Sequence, residues 1–334
     1  MWTGECAAAW RLFLFNWIVI GFIGAAFALS LLLTTFSLAW YSFLVGCGFV
    51  AVYAAFALYN AIARNRRAPQ VVFVLGGTAQ IVLITLLMAP FTYVAAAANF
   101  PMQDGALLAI DRAIGFDGLA FVKFVNDRPL LAASMDAGYS MIKWPLFAIP
   151  VVLAAGHQYR RLQEYTLAFA LALIVTTAIS TLVPALGVFQ QLGLAITDFA
   201  NINPLAYVPP LRDLPAVRDG TLRELHIEAL TGIITFPSFH AASAILYGWA
   251  LWRSRWFRPI ALVANAMMLA ATPVVGGHYL IDVVAGIVVA ALAIAAACGI
   301  SRHRDARVAL SQTAQPPEHA AAVSPEGATA PSAS

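Results

Sequence analysis

The sequence predicts an all-α, polytopic membrane helix bundle with about eight transmembrane helices, and three observations support this. Hydrophobic residues make up 61% of the 334 residues and charged residues only 10%, whereas about a quarter is charged in a soluble domain. Eight apolar runs approach the length that crosses a bilayer, and basic residues gather in alternate connections between them. These features exclude a soluble enzyme, a disordered protein and a nucleic-acid binder, and the net charge of +3 is too small to indicate an acidic partner.

The apolar runs are interpreted as membrane helices because about 20 apolar residues are enough to cross the hydrocarbon core. The first run is too long for the hydrophobic region of a signal peptide and has no clear cleavage site, so it predicts the first membrane helix. The sixth run is about one helical turn short of a full span, which places one of its ends below the membrane surface. The runs cover residues 12–36, 38–62, 70–97, 130–155, 164–187, 237–252, 259–277 and 279–300.

The basic residues orient this bundle, since twelve of the 19 fall on one side of an eight-pass arrangement. The connections on the other side, above all the long loops 98–129 and 188–236, are neutral or acidic. Basic loops stay in the cytoplasm, so both termini are expected there and the two long loops face outward. The twelve residues are Arg11, Arg64, Arg66, Arg67, Arg160, Arg161, Arg253, Arg255, Arg258, Arg302, Arg304 and Arg307.

Three segments are expected along the chain. Residues 1–69 predict an N-terminal two-helix membrane hairpin, and residues 70–300 predict the membrane core. Residues 301–334 are rich in Ala, Ser, Thr and Pro and predict a disordered cytoplasmic tail, because such a composition buries too little apolar surface to fold. The three cysteines show neither metal-ligand spacing nor a disulfide pattern and are interpreted as small hydrophobic residues.

The first conspicuous histidine is His240, which closes an outer loop in the sequence Pro237-Ser238-Phe239-His240. Proline and serine are favoured where helices begin, so His240 is expected in the first turn of the sixth membrane helix. Unpaired backbone N–H groups and the positive end of the helix dipole make such a turn suitable for binding an anion.

The second conspicuous histidine is His278, which follows two glycines that interrupt the apolar sequence. His278 and Asp282 are four residues apart and share one helix face. A carboxylate there can bind one ring nitrogen, set the tautomer and leave the other nitrogen as nucleophile or base. Asp282 also lies within an apolar run, where an acidic residue is costly unless it has a function.

For either histidine by itself, simple packing or an N-terminal cap is an alternative explanation. Together, His240 and His278 fall on one membrane face, both open helices, and one of them has Asp282 as a carboxylate partner. Two histidines and one aspartate around an anion site form a phosphoryl-transfer arrangement, in which one imidazole attacks phosphorus and the other protonates the leaving alkoxide.

The two motifs, Pro-Ser-Phe-His ending at His240 and Gly-His-Tyr-x-x-Asp ending at Asp282, resemble the type 2 phosphatidic acid phosphatase superfamily. Within it they are similar to the inositol phosphorylceramide synthase (inositolphosphotransferase) branch. The motif resemblance covers about residues 218–286, and the multi-pass architecture extends it over about 70–300. It implies a core like the phosphatidic acid phosphatase type 2/haloperoxidase bundle, with His278 as nucleophile, Asp282 as its orienting partner, His240 as general acid, and no metal or other cofactor.

The chain departs from the superfamily pattern at the cations that usually bind phosphate. The first motif there has six residues between its lysine and Arg-Pro, but only four separate Lys123 from Arg128 here. The third motif there usually begins with Ser-Arg, where this chain has Ala271 and Thr272. The phosphate-binding cations are thus missing or displaced.

Arg218 and Lys143 are candidate replacements for these cations. Arg218 lies in the outer loop before His240 and either holds phosphate through its guanidinium or forms an ion pair with Asp213 or Asp219. Lys143 lies inside the fourth apolar run, on one predicted helix face with Asp136, and either pairs with that carboxylate or lines the phosphate pocket.

Arg128 and Ser238 complete the set of candidate substrate-binding residues. Arg128 either binds phosphate or anchors the chain at the membrane interface. Ser238 either donates a hydrogen bond to phosphate or only caps its helix.

The function predicted is that of an integral membrane lipid phosphatase or lipid phosphotransferase, with a lipid phosphate substrate and, for transfer, a polyol acceptor such as inositol. The Ala-rich composition with Arg in excess over Lys is typical of a bacterial inner membrane protein, which would make the active site periplasmic. The alternative is a transporter or channel that uses Lys143, Asp136 and Asp282 as an ion pathway.

Overall fold

The structure is a computed structural model that describes residues 4–63, 68–203 and 207–313. The predicted placement of Arg64, Arg66 and Arg67 lies outside these residues, as does the part of the predicted tail after residue 313. The described chain is mainly helical and contains almost no sheet, so the prediction of an all-α membrane bundle is confirmed.

The longer helices follow the apolar runs, and shorter helices occupy the two long loops. The α-helices are α1 (Gly4–Leu33), α2 (Trp40–Ile62), α3 (Pro69–Ala96), α4 (Asp104–Ala113), α5 (Gly118–Asn126), α6 (Pro129–Ser140), α7 (Pro145–Ala155), α8 (Tyr159–Leu182), α9 (Val188–Gln191), α10 (Val208–Asp219), α11 (Phe239–Leu251), α12 (Arg258–Val275) and α13 (Leu280–Thr313). Strands β1 (Ser37–Leu38) and β2 (Glu224–Leu225) form a parallel pair, and 3₁₀ turns cover Ile196–Asp198 and Ile227–Ala229.

Six of the described helices, α1, α2, α3, α8, α12 and α13, are long and apolar enough to cross a membrane. The fourth apolar run is instead divided into α6 and α7, a pair bent by 65° that together is long and apolar enough for one further broken span or for a re-entrant loop. Pro145 begins α7 and has no backbone N–H to continue a helix, which accounts for the break. The sixth run forms α11, which has only 13 residues. Of the eight runs that predicted continuous spans, one is therefore broken and another is short.

Helix α8 lies at the centre of the bundle, where α1, α3, α11 and α13 pack against it. Its apolar side chains Leu162, Tyr165 and Phe169 are fully buried in the main core. Gly286 brings α13 close to α11, because a Cβ atom at this position would collide with the carbonyl oxygen of Ser238. This contact holds the start of α11 against the first turns of α13.

The two N-terminal helices join the core through α3. Helix α1 packs on α3 and α8, and α2 packs on α3. Gly76 permits the close approach of α1, because a Cβ atom there would overlap the ring of Phe13. Phe13 and Ile20 belong to the same core cluster as the centre of the bundle, so α1 is a part of that core as well as of the predicted hairpin.

One end of the bundle collects the basic residues. Arg11 of α1 and Arg160 of α8 both bind Asp305 of α13, at 2.7 Å and 3.1 Å. Arg161 donates a hydrogen bond to the carbonyl oxygen of Trp249 near the end of α11, and its guanidinium lies over the Trp249 ring. Basic residues of α1 and α8 therefore contact the ends of α11 and α13 at this end of the bundle, as the alternation of charged loops predicts.

The same ion pairs explain a correction to the predicted tail. Disorder was expected from residue 301 onward, but α13 continues without interruption to Thr313. Ser301 is buried and accepts a hydrogen bond from Arg160, and Asp305 is bound by two arginines. These tertiary contacts stabilise a helical extension that composition alone does not predict.

The opposite end of the bundle brings the long loops together. Strands β1 and β2 pair there, with the Ser37 N–H donating to the carbonyl oxygen of Arg223 at 2.9 Å. The turn between α1 and α2 thus meets the loop 188–236, which the sequence analysis assigned to the same membrane side. Three short helices lie at this end: α4 packs on α13, α9 packs on α4, and α10 packs on α3.

Candidate active site

His278 and Asp282 are in direct contact at the start of α13. The Nδ1 atom of His278 lies 3.2 Å from Oδ2 of Asp282, and the same oxygen accepts a hydrogen bond from the Tyr279 N–H at 3.0 Å. His278 is 5% exposed and Asp282 is completely buried. Because Asp282 binds Nδ1, the Nε2 atom is the ring nitrogen left for another partner. The predicted pairing is therefore present, although His278 precedes the first helical residue, Leu280.

Two glycines shape the loop that carries His278. Gly277 has a φ of +65°, and a Cβ atom there would press on the rings of Phe189 and Tyr207. Gly187 has a φ of +110°, and a Cβ atom there would collide with the Gly277 carbonyl oxygen, which accepts a hydrogen bond from Val188 at 2.8 Å. Only glycine fits these two conformations and contacts. The loop of His278 is thereby packed directly against α9.

Tyr207 forms part of the wall beside this loop. Its ring packs against Phe189 with the ring centroids 4.7 Å apart. Burial, and then the charge of Asp104, raise the pKa of the Tyr207 hydroxyl to about 12. This hydroxyl is therefore protonated and neutral at physiological pH.

Two aspartates of α4 hold the start of α13, and the sequence analysis did not identify either of them. Asp111 accepts hydrogen bonds from the N–H groups of Leu280 and Ile281 at 2.7 Å and 2.9 Å. Asp104 accepts a hydrogen bond from the Tyr279 hydroxyl at 3.0 Å, and it also binds the Gly187 N–H at 2.8 Å. Both carboxylates are buried, so they fix the His278 segment rather than only carrying surface charge. Asp104 and Asp111 are seven residues apart, which places them on one helix face. This spacing is the sequence feature that could have indicated them.

His240 lies in the first turn of α11, as predicted. Ser238 is the N-cap of this helix, and its Oγ accepts a hydrogen bond from the Ala241 N–H at 3.4 Å. The Ser238 N–H donates to the carbonyl oxygen of Asp282 at 3.0 Å. Ser238 thus joins the starts of α11 and α13, and its side chain makes the capping contact that was one of its two predicted roles.

Tyr139 of α6 brings the two histidines into one site. Its ring stacks on the ring of His240, with the centroids 3.9 Å apart and the planes inclined by 15°. A Cβ atom placed on Gly276 would lie 2.7 Å from both the Tyr139 hydroxyl and Cδ2 of His278. His240, Tyr139 and His278 therefore gather around Gly276. Tyr139 is not among the site residues that the sequence predicts.

Arg218 lies at the end of α10 and does not form either of the ion pairs considered for it. Its Nη2 atom donates to the carbonyl oxygen of Phe100 at 2.8 Å, and its Nη1 atom is buried without a hydrogen-bond partner among the described residues. Asp213 is bound by Arg212 and Tyr93, and Asp219 accepts from Thr221.

Lys143 lies in the break between α6 and α7 and is exposed. The expectation that it shares a helix face with Asp136 is wrong, because α6 ends at Ser140 and the chain then turns. Asp136 instead interacts with the backbone of Asn203.

Arg128 is exposed at the start of α6. Its Nη1 atom donates to the carbonyl oxygen of Phe124 at 2.7 Å, and its guanidinium lies 3.8 Å from the centre of the Phe124 ring. Both roles considered for Arg128, a phosphate ligand and an interfacial anchor, stay predictions. Within residues 4–63, 68–203 and 207–313, no group of His, Cys, Asp or Glu side chains has an arrangement that fits a metal ion.

Comparison with known proteins identifies the family. A family model described as the PAP2 superfamily matches residues 105–296, which include both histidine motifs and more than half of the chain. Searches of curated proteins and of solved structures found no match. The predicted resemblance to the superfamily is confirmed, and the chain belongs to the PAP2 superfamily, which makes it a phosphatase-type enzyme with an all-α membrane bundle.

Proposed function

We propose that this integral membrane protein is a lipid phosphatase or lipid phosphotransferase that acts through a phosphohistidine intermediate. The observation that carries the proposal is the buried contact of 3.2 Å between Nδ1 of His278 and Asp282, with the ring of His240 held nearby by Tyr139. This arrangement leaves Nε2 of His278 for attack and supplies a second imidazole for proton transfer.

In the first step, Nε2 of His278 attacks the phosphorus of the lipid phosphate ester. The N–P bond forms as the bond from phosphorus to the ester oxygen breaks, and His240 donates a proton to that departing oxygen. Asp282 is the positioning residue, because its carboxylate holds the His278 ring and stabilises the positive charge that develops on the imidazole.

In the second step, His240 accepts a proton from an incoming hydroxyl group, whose oxygen attacks the phosphorus. The N–P bond breaks and its electron pair returns to His278. Water as the acceptor makes the protein a phosphatase, and a polyol makes it a phosphotransferase. The Phe before His240 and the His-Tyr-x-x-Asp motif favour the inositolphosphotransferase-like branch, with inositol or a similar polyol as acceptor.

The phosphate group is proposed to lie at the start of α11. The first N–H groups of a helix have no acceptor within that helix, and the helix dipole is positive there. The start of α13 offers less, because Asp111 already binds the N–H groups of Leu280 and Ile281. Arg218 is the preferred cation among the candidates, since its Nη1 atom is buried without a partner in the described chain. Ser238, Lys143 and Arg128 stay predictions as phosphate ligands.

The site is proposed to face outward, with both termini in the cytoplasm and, for a bacterial inner membrane, the histidines on the periplasmic side. The gathering of Arg11, Arg160 and Arg161 at the other end of the bundle supports this orientation. The transporter alternative loses support, because Lys143 lies outside α6 and Asp282 is bound to His278.

The test is an assay of the purified protein in mixed micelles, with phosphomonoester and phosphodiester lipids offered with and without inositol. Free phosphate and new lipid products are both measured, and labelled phosphate on the protein is tested for the acid lability typical of phosphohistidine. We expect His278→Ala to abolish turnover and labelling. The control is His226→Ala, which changes an exposed histidine of the outer loop and should retain both. Labelling or turnover that persists in His278→Ala contradicts the mechanism.

A further inference from the structure

A cavity of about 530 Å³ opens at the basic end of the bundle, between α1 and the last turns of α13. Both helices pack on α8, and the cavity lies in the groove that they leave between them. Gly299 contributes open space, because a Cβ atom there would meet nothing within 4 Å. The polar lining is basic and consists of Arg11, His303, Arg304 and Arg307.

The cavity is far from the histidines. Asp282 and Arg304 belong to the same helix, and a rise of 1.5 Å per residue puts them about 33 Å apart. The hydrocarbon core of a bilayer is about 30 Å thick, so the cavity lies at the opposite membrane interface from His278.

The positive charge of the cavity is not balanced by the nearby carboxylate. Both oxygens of Asp305 are bound, one by Arg11 at 2.7 Å and the other by Arg160 at 3.1 Å. In the described part of the chain, no carboxylate lies within ion-pair distance of Arg304 or Arg307. The cavity therefore carries an excess of positive charge.

Two guanidinium groups at the cavity also have donors without acceptors. The Nε atoms of Arg11 and Arg304 are buried and have no hydrogen-bond partner among the described residues. The guanidinium of Arg304 is held over the ring of Phe15, with its central carbon 4.5 Å from the ring centre. Buried donors without acceptors are costly, and positioned guanidinium groups are well suited to bind phosphate oxygens.

The basic cavity lies beside apolar helix surface, as the binding site of a lipid headgroup does. Ile300 and Val308 line it, and Leu14 and Ile18 expose apolar surface on the next turns of α1. A ligand with its anion between the arginines has apolar helix surface beside it for acyl chains. We propose that this cavity binds a phosphate-bearing anion, namely the headgroup of an anionic membrane phospholipid, as a second site across the bilayer from the histidines.

The test measures lipid binding to the purified full-length protein by native mass spectrometry and by the shift of melting temperature. The probes are short-chain phosphatidylglycerol, phosphatidylcholine of the same chain length, and inorganic phosphate. Two variants address the cavity in different ways. Arg304→Gln/Arg307→Gln removes two charges, and Gly299→Leu fills the space while it keeps every charge. Arg302→Gln is the matched control, because Arg302 is an exposed arginine of the same helix outside the cavity lining.

We expect phosphatidylglycerol to bind at least about tenfold more tightly than phosphatidylcholine, and both cavity variants to lose this difference. Arg302→Gln should bind as the unchanged protein does. Any phosphatidylglycerol that binds at the histidine site binds equally to all variants. It therefore does not affect the difference in binding between the unchanged protein and the cavity variants. Equal stabilisation by inorganic phosphate would identify a free anion as the ligand and overturn the lipid assignment. Unchanged phosphatidylglycerol binding in both cavity variants, each with a normal melting temperature without ligand, overturns the site itself.

Discussion

Asp282 is completely buried, yet only one of its two carboxylate oxygens has hydrogen-bond partners among the described residues. That oxygen, Oδ2, contacts His278 and the Tyr279 N–H, while Oδ1 is left without a partner. A buried carboxylate with an unpaired oxygen is unfavourable for stability. In the proposed mechanism its position has a function, because the carboxylate orients the His278 ring and stabilises the positive charge that develops there.

We predict that Asp282→Asn separates activity from stability. The neutral amide keeps the shape and can still accept from the Tyr279 N–H, but it does not stabilise a positively charged His278. The rate constant kcat should fall by about 100-fold or more, with little change in KM. The melting temperature should stay the same or rise. Steady-state kinetics gives kcat and KM, and thermal unfolding gives the melting temperature. An unchanged kcat would mean that Asp282 has only a structural role.

Tyr139 offers a second prediction at the residue scale. Stacking of an aromatic pair is worth about 1 kcal/mol, so Tyr139→Leu should loosen His240 and lower kcat by roughly tenfold. Tyr139→Phe keeps the ring and should retain most of the activity. Turnover and the amount of phosphohistidine at steady state are measured for both variants. An equal loss in the two would assign the effect to the hydroxyl group instead of the stack.

At the scale of elements, the site depends on how closely α11 approaches α13. Gly286 lies against the Ser238 carbonyl oxygen, Ala241 and Ala242, so that any side chain there forces the helices apart. This contact lies one turn beyond Asp282 and sets the distance between the starts of the two helices. Neither motif contains the glycine, and its role follows from packing.

Substitution of Gly286 tests this contact. We expect Gly286→Val to cost about 1–3 kcal/mol of stability through overpacking and to reduce turnover strongly, because His240 moves away from His278. Gly299→Ala is the matched control on the same helix. It meets open space and should raise the melting temperature slightly, because alanine favours a helix over glycine. Melting curves and turnover are compared, and normal turnover in Gly286→Val would separate the helix contact from the site.

The fourth and sixth apolar runs show that composition does not predict whether a run forms one continuous helix or how long that helix is. Both runs are apolar, but one breaks at Pro145 and the other forms a helix of only 13 residues. The short α11 still reaches from the Asp282 backbone to Arg161, which links the site to the basic end of the bundle. Both contacts come from neighbouring helices, so composition alone does not predict them.

At the scale of the whole molecule, the orientation in the membrane is open to a direct test. Ala113 of α4 and Ala306 of α13 are exposed at opposite ends, so each is changed to cysteine in a chain without Cys6, Cys47 and Cys298. In intact bacterial cells, a membrane-impermeant maleimide should label Ala113→Cys, whereas Ala306→Cys should react only after lysis. The reverse pattern would place the histidines on the cytoplasmic side.

The sequence by itself determined the fold class, the arrangement of apolar runs, the PAP2 superfamily and the pairing of His278 with Asp282. These depend on composition, charge pattern and spacings of a few residues, which are local properties of the chain. Lys143 shows the limit of such reasoning, because its predicted helix face ended where the chain turned.

Only the tertiary structure decided which residues support the two motifs. Asp104 and Asp111 come from a separate short helix, and Tyr139 comes from a span that bends, so no sequence spacing relates them to His240 or His278. The helical extension of α13 likewise depends on arginines from α1 and α8. The physical reason is common to all of these residues: buried carboxylates, stacked rings and unpaired guanidinium donors acquire their roles from partners that are distant in the chain.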